Sequence, residues 1–295
     1  IVGLADTGVA FDHAELADRV RRGFDTVDLS ASLVGDMPLV GDNSGRDEDA
    51  DDEVGHGTAC AGILRADGRH LPPGGAGRCA LTPARVLGAG IAGGKRVGVG
   101  ALSDIDAGMK RLIDLGMRVI NMSFGTAESE LRPGDPPPHE EVVRYAHARG
   151  VVLVAASGNS GREERYFPAA ADGVIAVGAV DEEGGPCRFS TRGEHVALCA
   201  PGRNIWTSGM AGYQRVSGTS FAAPFVSAVC ALLLARAERR AWPLPPDLLA
   251  EILVGTVRPF AQAQVAGCGV GIVDALAALR ELDARIDASL SGSES

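Results

Sequence analysis

Three short segments hold the residue types from which an acyl-transfer site is built. An apolar run ends in Asp6-Thr7-Gly8, and a histidine opens the small-residue stretch Gly55-His56-Gly57-Thr58-Ala59-Cys60. A serine stands inside Ser217-Gly218-Thr219-Ser220-Phe221-Ala222-Ala223-Pro224. A serine hydroxyl is a poor nucleophile until a neighbouring base takes its proton. An imidazole does this near neutral pH, and a buried carboxylate fixes its tautomer and stabilises the imidazolium. Asp6, His56 and Ser220 supply one group of each kind. Gly218 leaves room for a substrate backbone beside the serine. A serine at a helix N-terminus faces unpaired N–H groups and the positive end of the dipole, both of which favour a developing oxyanion. Pro224 is tolerated near the first turn, where a missing N–H costs little.

Blander readings of the same residues exist. Ser220 in isolation reads as a helix cap, and His56 alone as a core histidine. Asp-Thr-Gly also opens aspartic-protease sites, but that chemistry needs a second such carboxylate, and the chain has no second Asp-Thr-Gly or Asp-Ser-Gly. Gly88, Gly90 and Gly93 match a dinucleotide fingerprint, yet no helix signal follows at once, so a substrate-lining loop is the better reading. The remaining histidines, His13, His70, His139, His147 and His195, lack sequence-adjacent partners and read as surface residues. The acidic stretch 41–53 lacks EF-hand spacing and reads first as a solvated loop, with an adventitious calcium site or selection of basic substrates as alternatives.

The elements that would position these groups alternate along the chain. Continuous apolar runs predict strands over 1–4, 84–87, 119–122, 151–155, 174–178 and 196–199. Helical patterns lie over 57–64, 103–115, 140–149, 220–239, 247–253 and 274–286. Such alternation predicts right-handed crossovers and an α/β fold, a three-layer doubly wound and mostly parallel sheet. Ligands in such sheets bind at the carboxyl ends of the strands. With no linker or internal repeat, residues 1–288 read as one domain and 289–295 as a flexible polar tail.

Composition narrows the function classes. The net charge of −10 and a 4% aromatic content argue against a nucleic-acid binder, which needs a basic face or stacking platforms. No uninterrupted apolar run reaches membrane-span length. Forty glycines and sixteen prolines imply many tight turns. None of the six cysteines forms a C-x-x-C pair, so a zinc site is not indicated. Their even number permits disulfides, while their apolar neighbourhoods suit buried thiols. The chain opens at Ile1 without a signal-type segment and reads as a mature or trimmed form, with no compartment legible in it.

Taken together, the three motifs in the order Asp, His, Ser resemble the subtilisin-type serine proteases, the subtilases, from Ile1 to about Ala288. The resemblance implies a serine endopeptidase working through an acyl-enzyme on a peptide or protein substrate. It matches Asn159 to the family's oxyanion asparagine, with Asp6, His56 and Ser220 as the catalytic residues. It also assigns the substrate-binding segments: Ser123, Phe124 and Gly125 on one side of an inserted peptide strand, and Gly98 and Gly100 on the other. Ala156, Ser157 and Gly158 would wall the pocket for the residue before the scissile bond, with Tyr166 at its floor making it shallow. Pro168 matches a proline that is cis in relatives, and Cys60 one that packs beneath the imidazole. No cofactor is implied for the chemistry. A structural calcium stays open, because 65–78 departs from the family's calcium-loop pattern, and the metal ligands are unknown. A pro-region or inhibitor is a possible partner, and secretion is the family default. Rival readings on the same scaffold are precursor-peptide maturation, peptide macrocyclisation and a non-catalytic peptide binder.

Overall fold

The computed structural model describes residues 1–29, 37–261 and 265–291, and the elements below are those among them. The first half of the chain forms β1 (Val2–Asp6), β2 (Phe24–Asp25), β3 (Leu39–Val40), α1 (His56–Arg65), β4 (Leu81–Arg85), β5 (Gly88–Ala92), β6 (Lys95–Val99) and α2 (Leu102–Asp114). Then come β7 (Val119–Met122), β8 (Thr126–Ala127), α3 (Glu140–Ala148), β9 (Val152–Ala156), β10 (Tyr166–Phe167), β11 (Val174–Val180) and β12 (Val196–Pro201). The last segment adds β13 (Ile205–Gly209), β14 (Gly212–Val216), α4 (Thr219–Arg239), α5 (Pro246–Gly255) and α6 (Ala275–Ser291).

Seven strands form a parallel sheet in the order β12-β11-β9-β7-β1-β4-β2. Every residue of β1, β4, β7 and β9 is buried, and β1 and β9 accordingly show apolar runs. Strand β4 instead buries Thr82 and Arg85 and lies at Leu81–Arg85, displaced from the expected 84–87 because those polar residues interrupt its apolar pattern. Leu4 and Val154 face one core together with Leu64 of α1, Val226 and Leu233 of α4, Leu249 of α5 and Leu282 of α6. Ala5, Ile120 and Leu153 face the other, with Ile105 and Met109 of α2 and Val143 of α3. Helices therefore cover both faces, giving the three-layer α/β arrangement expected from the sequence. The chain runs from β1 to β4 on one side and returns to β7 on the other. The sheet thus reverses direction at β1, the place where such folds bind ligands.

Two regions differ from the sequence reading. Segment 88–100 is not an irregular loop but the hairpin β5–β6, which also pairs with β3. Gly93 and Gly94, at φ 56° and 74°, make its two-residue turn. A strand at Gly88–Ala92 leaves no place for the helix that a dinucleotide fingerprint requires. Residues 205–216 form a second hairpin, β13–β14, also missed. Helix α4 is long and apolar enough to cross a membrane by length and composition, although its polar residues break it into short runs. Here it is mostly buried as the central helix of a core. Of the anticipated tail, Ser289–Ser291 continue α6, while 292–295 lie outside the described residues.

Candidate active site

Asp6 ends β1 and is fully buried. Its Oδ1 accepts the Thr7 N–H at 2.8 Å and the His56 Nδ1–H at 2.7 Å. A carboxylate only accepts, so Nδ1 carries the proton and Nε2 presents its lone pair. His56 opens α1 after Gly55, whose φ of 95° is left-handed. A Cβ on Gly57 would lie 2.2 Å from the Gly8 carbonyl oxygen, so strand end and helix start meet only because that residue is bare. Burial alone would lower the imidazole's pKa. The charge and hydrogen bond of Asp6, with Asp52 behind, outweigh that and hold it above its ordinary value.

Asp52 was not singled out in the sequence, where it sits among six other acids. Its Oδ1 accepts from Thr7 Oγ1 (2.8 Å), Val54 N–H (2.8 Å) and Gly55 N–H (2.9 Å). Its Oδ2 accepts from Thr58 N–H (2.9 Å) and Thr58 Oγ1 (2.6 Å). Thr7 Oγ1 in turn accepts the Gly57 N–H at 2.9 Å. One buried carboxylate thus ties the end of β1 to the first turn of α1, where the unpaired N–H groups and the dipole favour it. An acid shortly before a His-x-Thr helix start was the available signal.

Ser220 is the second residue of α4, and its hydroxyl donates to the Ser123 carbonyl at 3.1 Å. Among the described residues, no hydrogen bond joins that hydroxyl to His56, a link that tightens only with substrate in many unliganded sites. The groups nevertheless converge. Phe221 lies 5.2 Å from the His56 ring, and Cys60, whose Sγ sits within 4.8 Å of ligand atoms of Asp6 and His56, donates to the Ser220 carbonyl at 3.4 Å. Burial pushes the Cys60 thiol well up, so it stays protonated at neutral pH and is no nucleophile. All six cysteines are free thiols.

Asn159 follows β9. Its Oδ1 accepts the Thr219 N–H at 2.9 Å and Thr219 Oγ1 at 3.2 Å, which turns its Nδ2 donors toward Gly218. A Cβ at Gly218 would stand 3.5 Å from Nδ2, and the glycine leaves that space open. Beside it is a cleft of about 270 Å³ lined by Ser123, Phe124, Gly125, Ala156, Gly158, Asn159, Tyr166 and Ser220, among others. The Tyr166 ring is held between two glycines: a Cβ would meet it at 2.7 Å from Gly158 and at 3.5 Å from Gly125. The Phe167-Pro168 peptide after it is cis. Ser157 turns its hydroxyl inward to the Thr191 carbonyl at 3.2 Å. Gly98 and Gly100 are not among the residues lining this cleft. Gly98 instead packs on the Thr7 methyl, where a Cβ would stand at 2.7 Å, so β6 flanks the Asp6 end of the site.

The segment after α1 does not fit a calcium ion. Residues 68–71 turn their N–H groups, not their carbonyls, onto the buried Glu15 carboxylate. Oε2 accepts from Gly68 (2.9 Å) and Arg69 (3.1 Å), and Oε1 from His70 (2.5 Å) and Leu71 (3.2 Å). Such donors surround an anion, whereas calcium requires converging oxygens. The acidic stretch is also more than a solvated loop. Glu53 pairs with the buried Arg85 at 2.9 Å, Glu48 with Arg111 at 2.7 Å and Asp49 with Arg22 at 2.9 Å. Nor are the other histidines all surface groups. His13 is buried with Nε2 on the Gly212 carbonyl at 2.7 Å, and His139 is buried with Nδ1 on Asp106 at 2.5 Å. Those partners lie far along the chain, beyond the reach of local reading.

Against known proteins, the model of peptidase S8, the subtilase family, matches residues 1–271. A thermophilic serine proteinase of Bacillus sp. (strain AK1) is 35% identical over 235 residues, covering 79% of this chain and 51% of that protein. This chain therefore spans about half the length of that relative. Among solved structures, a protease from Pseudoalteromonas arctica aligns with a TM-score of 0.77 at 28% identity, over 95% of this chain and 89% of that one. The prenylagaramide maturation protease PagA aligns with a TM-score of 0.74 at 25% identity, over 95% and 92%.

Proposed function

The chain belongs to the subtilase family, and from that premise we propose that it hydrolyses peptide bonds as a serine endopeptidase, with Ser220 as the nucleophile. The observation that carries this reading is the 2.7 Å bond from His56 Nδ1 to the buried Asp6, which leaves Nε2 to act as base next to the head of α4. The Ser220 hydroxyl turns from the Ser123 carbonyl to Nε2, gives up its proton and attacks the scissile carbonyl. The Asn159 Nδ2 group and the Ser220 N–H, a free donor of the first helical turn, hold the oxyanion that results. His56 then protonates the leaving amine, and water repeats the sequence on the acyl-enzyme with the proton moving the same way. Asp6 holds the tautomer and balances the imidazolium. The peptide lies as a strand between 123–125 and 98–100. Tyr166, wedged between Gly125 and Gly158, restricts the residue before the scissile bond to a small side chain.

The similarity to PagA favours a second reading, maturation of a precursor peptide, on the same machinery. Mass spectrometry of the products separates the outcomes, since a cyclised peptide is one water lighter than the hydrolysed one.

The primary test is a fluorophosphonate probe with the adduct located by mass spectrometry. The expected result is an adduct on Ser220 in the native protein and none after Ser220→Ala or heat denaturation. A folded protein that takes no adduct would overturn the reading and favour a non-catalytic peptide binder.

A further inference from the structure

A proline inside a helix removes one N–H from the ladder, and the carbonyl four residues earlier loses its partner. In α4 the proline is Pro224, and the carbonyl that loses its partner is that of Ser220. Its oxygen is taken up by another element: Ser123 Oγ–H donates to it at 2.7 Å, alongside Cys60 Sγ at 3.4 Å. A hydroxyl has a single proton, so Ser123 directs it onto Ser220 most firmly when its own oxygen is occupied by a donor. Asn121 Nδ2–H is that donor, at 2.9 Å. The Asn121 amide is held that way round because its Oδ1 accepts Ser227 Oγ–H at 2.9 Å.

Each link has one polarity, running from Ser227 to Asn121 to Ser123 to the Ser220 carbonyl. Asn121 and Ser227 are fully buried and Ser123 nearly so, which shields the chain from competing water. Ser227 and Ser220 share α4 while Asn121 belongs to β7, so the chain of bonds registers the helix head against the sheet.

We infer that Asn121 and Ser227 are positioning residues for the nucleophile: they orient the Ser123 hydroxyl, which replaces the helical N–H lost at Pro224 and sets where Ser220 stands in the cleft. This inference rests on the reading of Ser220 as nucleophile. A purely structural network would need only to be satisfied; this one ends on the reacting residue's own backbone.

The test is the rate of fluorophosphonate labelling of Ser220 in two backgrounds, with thermal unfolding followed in parallel. Ser123→Ala in the parent leaves a buried acceptor short of its main donor and is expected to slow labelling about tenfold or more. Pro224→Ala restores an N–H for the Ser220 carbonyl, and in that background the same Ser123→Ala change is expected to cost less than about threefold. Asn121→Asp supplies only acceptors, draws the Ser123 proton away from Ser220 and should slow labelling as Ser123→Ala does. Ser227→Ala, the milder change, keeps the test open if the buried acid prevents folding, and should slow labelling in the parent more than in the Pro224→Ala background. Equal slowing in both backgrounds, or slowing that merely tracks lost stability, would overturn the inference. Absence of any adduct on Ser220 in the parent would instead remove the reading beneath it.

Discussion

Helix α1 is secured at both ends by a buried carboxylate that accepts a fan of hydrogen bonds. At the start, Asp52 gathers three backbone N–H groups and two threonine hydroxyls. Beyond the end, Glu15 gathers four consecutive N–H groups of 68–71, with the Tyr213 hydroxyl at 3.5 Å. The chemistry of the two clasps is alike, but what they hold is not. Asp52 grips Thr7 and the Gly55–Thr58 turn, the immediate neighbours of Asp6 and His56. Glu15 grips a loop in which Arg69 pairs with Asp67 and His70 meets the Tyr213 ring of the β13–β14 hairpin, away from Asp6 and His56. The same anion device therefore serves alignment at one end and cohesion at the other.

Substitutions that separate alignment from cohesion sharpen this contrast. The largest effect is expected at Asp52. Asp52→Asn keeps the shape but turns N–H donors onto Thr58, and kcat should fall about tenfold with KM near the parent value. Its acid limb should also move to lower pH, because a charge that raises the His56 pKa is gone. A variant that loses stability while keeping kcat would place Asp52 with Glu15 and dissolve the distinction.

Glu15→Gln comes next. It should lower unfolding free energy by about 2–3 kcal/mol in urea titration and leave kcat of the folded fraction unchanged. Unfolding of the parent should be insensitive to chelator or added calcium, since N–H groups occupy the place of oxygen ligands. Calcium protection lost in Glu15→Gln would show a cation at that clasp.

The smallest effect is the acid dependence of the two ends. Burial alone would raise the Glu15 pKa, but its N–H bonds outweigh that and hold it below the ordinary carboxylate value. Its contribution is complete above the unfolded-state value and fades as pH falls through the lower folded one. The His56 pKa is raised, so an activity that uses its neutral imidazole as base, as proposed, is expected to need pH above that value and to decline first on acidification. Activity should therefore be lost at higher pH than stability, measured as kcat and urea midpoint across one pH series. Coincident losses would mean that acid acts through the fold at both ends.

Much of this arrangement was legible in the sequence. The motifs around Asp6, His56 and Ser220 are contiguous stretches, and strands buried on both faces announce themselves as apolar runs. The missing parts share a physical cause. The Asp52 clasp draws on Thr7, Glu15 on a loop more than a helix away, and His13 on Gly212, so each role exists only once distant segments meet. The β5–β6 hairpin was hidden because Gly88–Ala92 and Lys95–Val99 have few β-branched residues and no clean alternation. The pairing of the acidic stretch is not legible locally, because its arginine partners, Arg22, Arg85 and Arg111, lie outside it.

The central place of β1 in the sheet carries a consequence in time. Val2 pairs with Leu81 on one side and with Val119 on the other, and β1 precedes both partners in the chain. Closing such long loops costs entropy before any pairing rewards it, so a sheet of this topology forms slowly. Asp6, at the end of that strand, takes its place only when those long-range pairings are made. The Asp6–His56 pair therefore depends on long-range pairing, and on refolding it is expected to form after local helix content, so that recovery of activity should lag recovery of helix content.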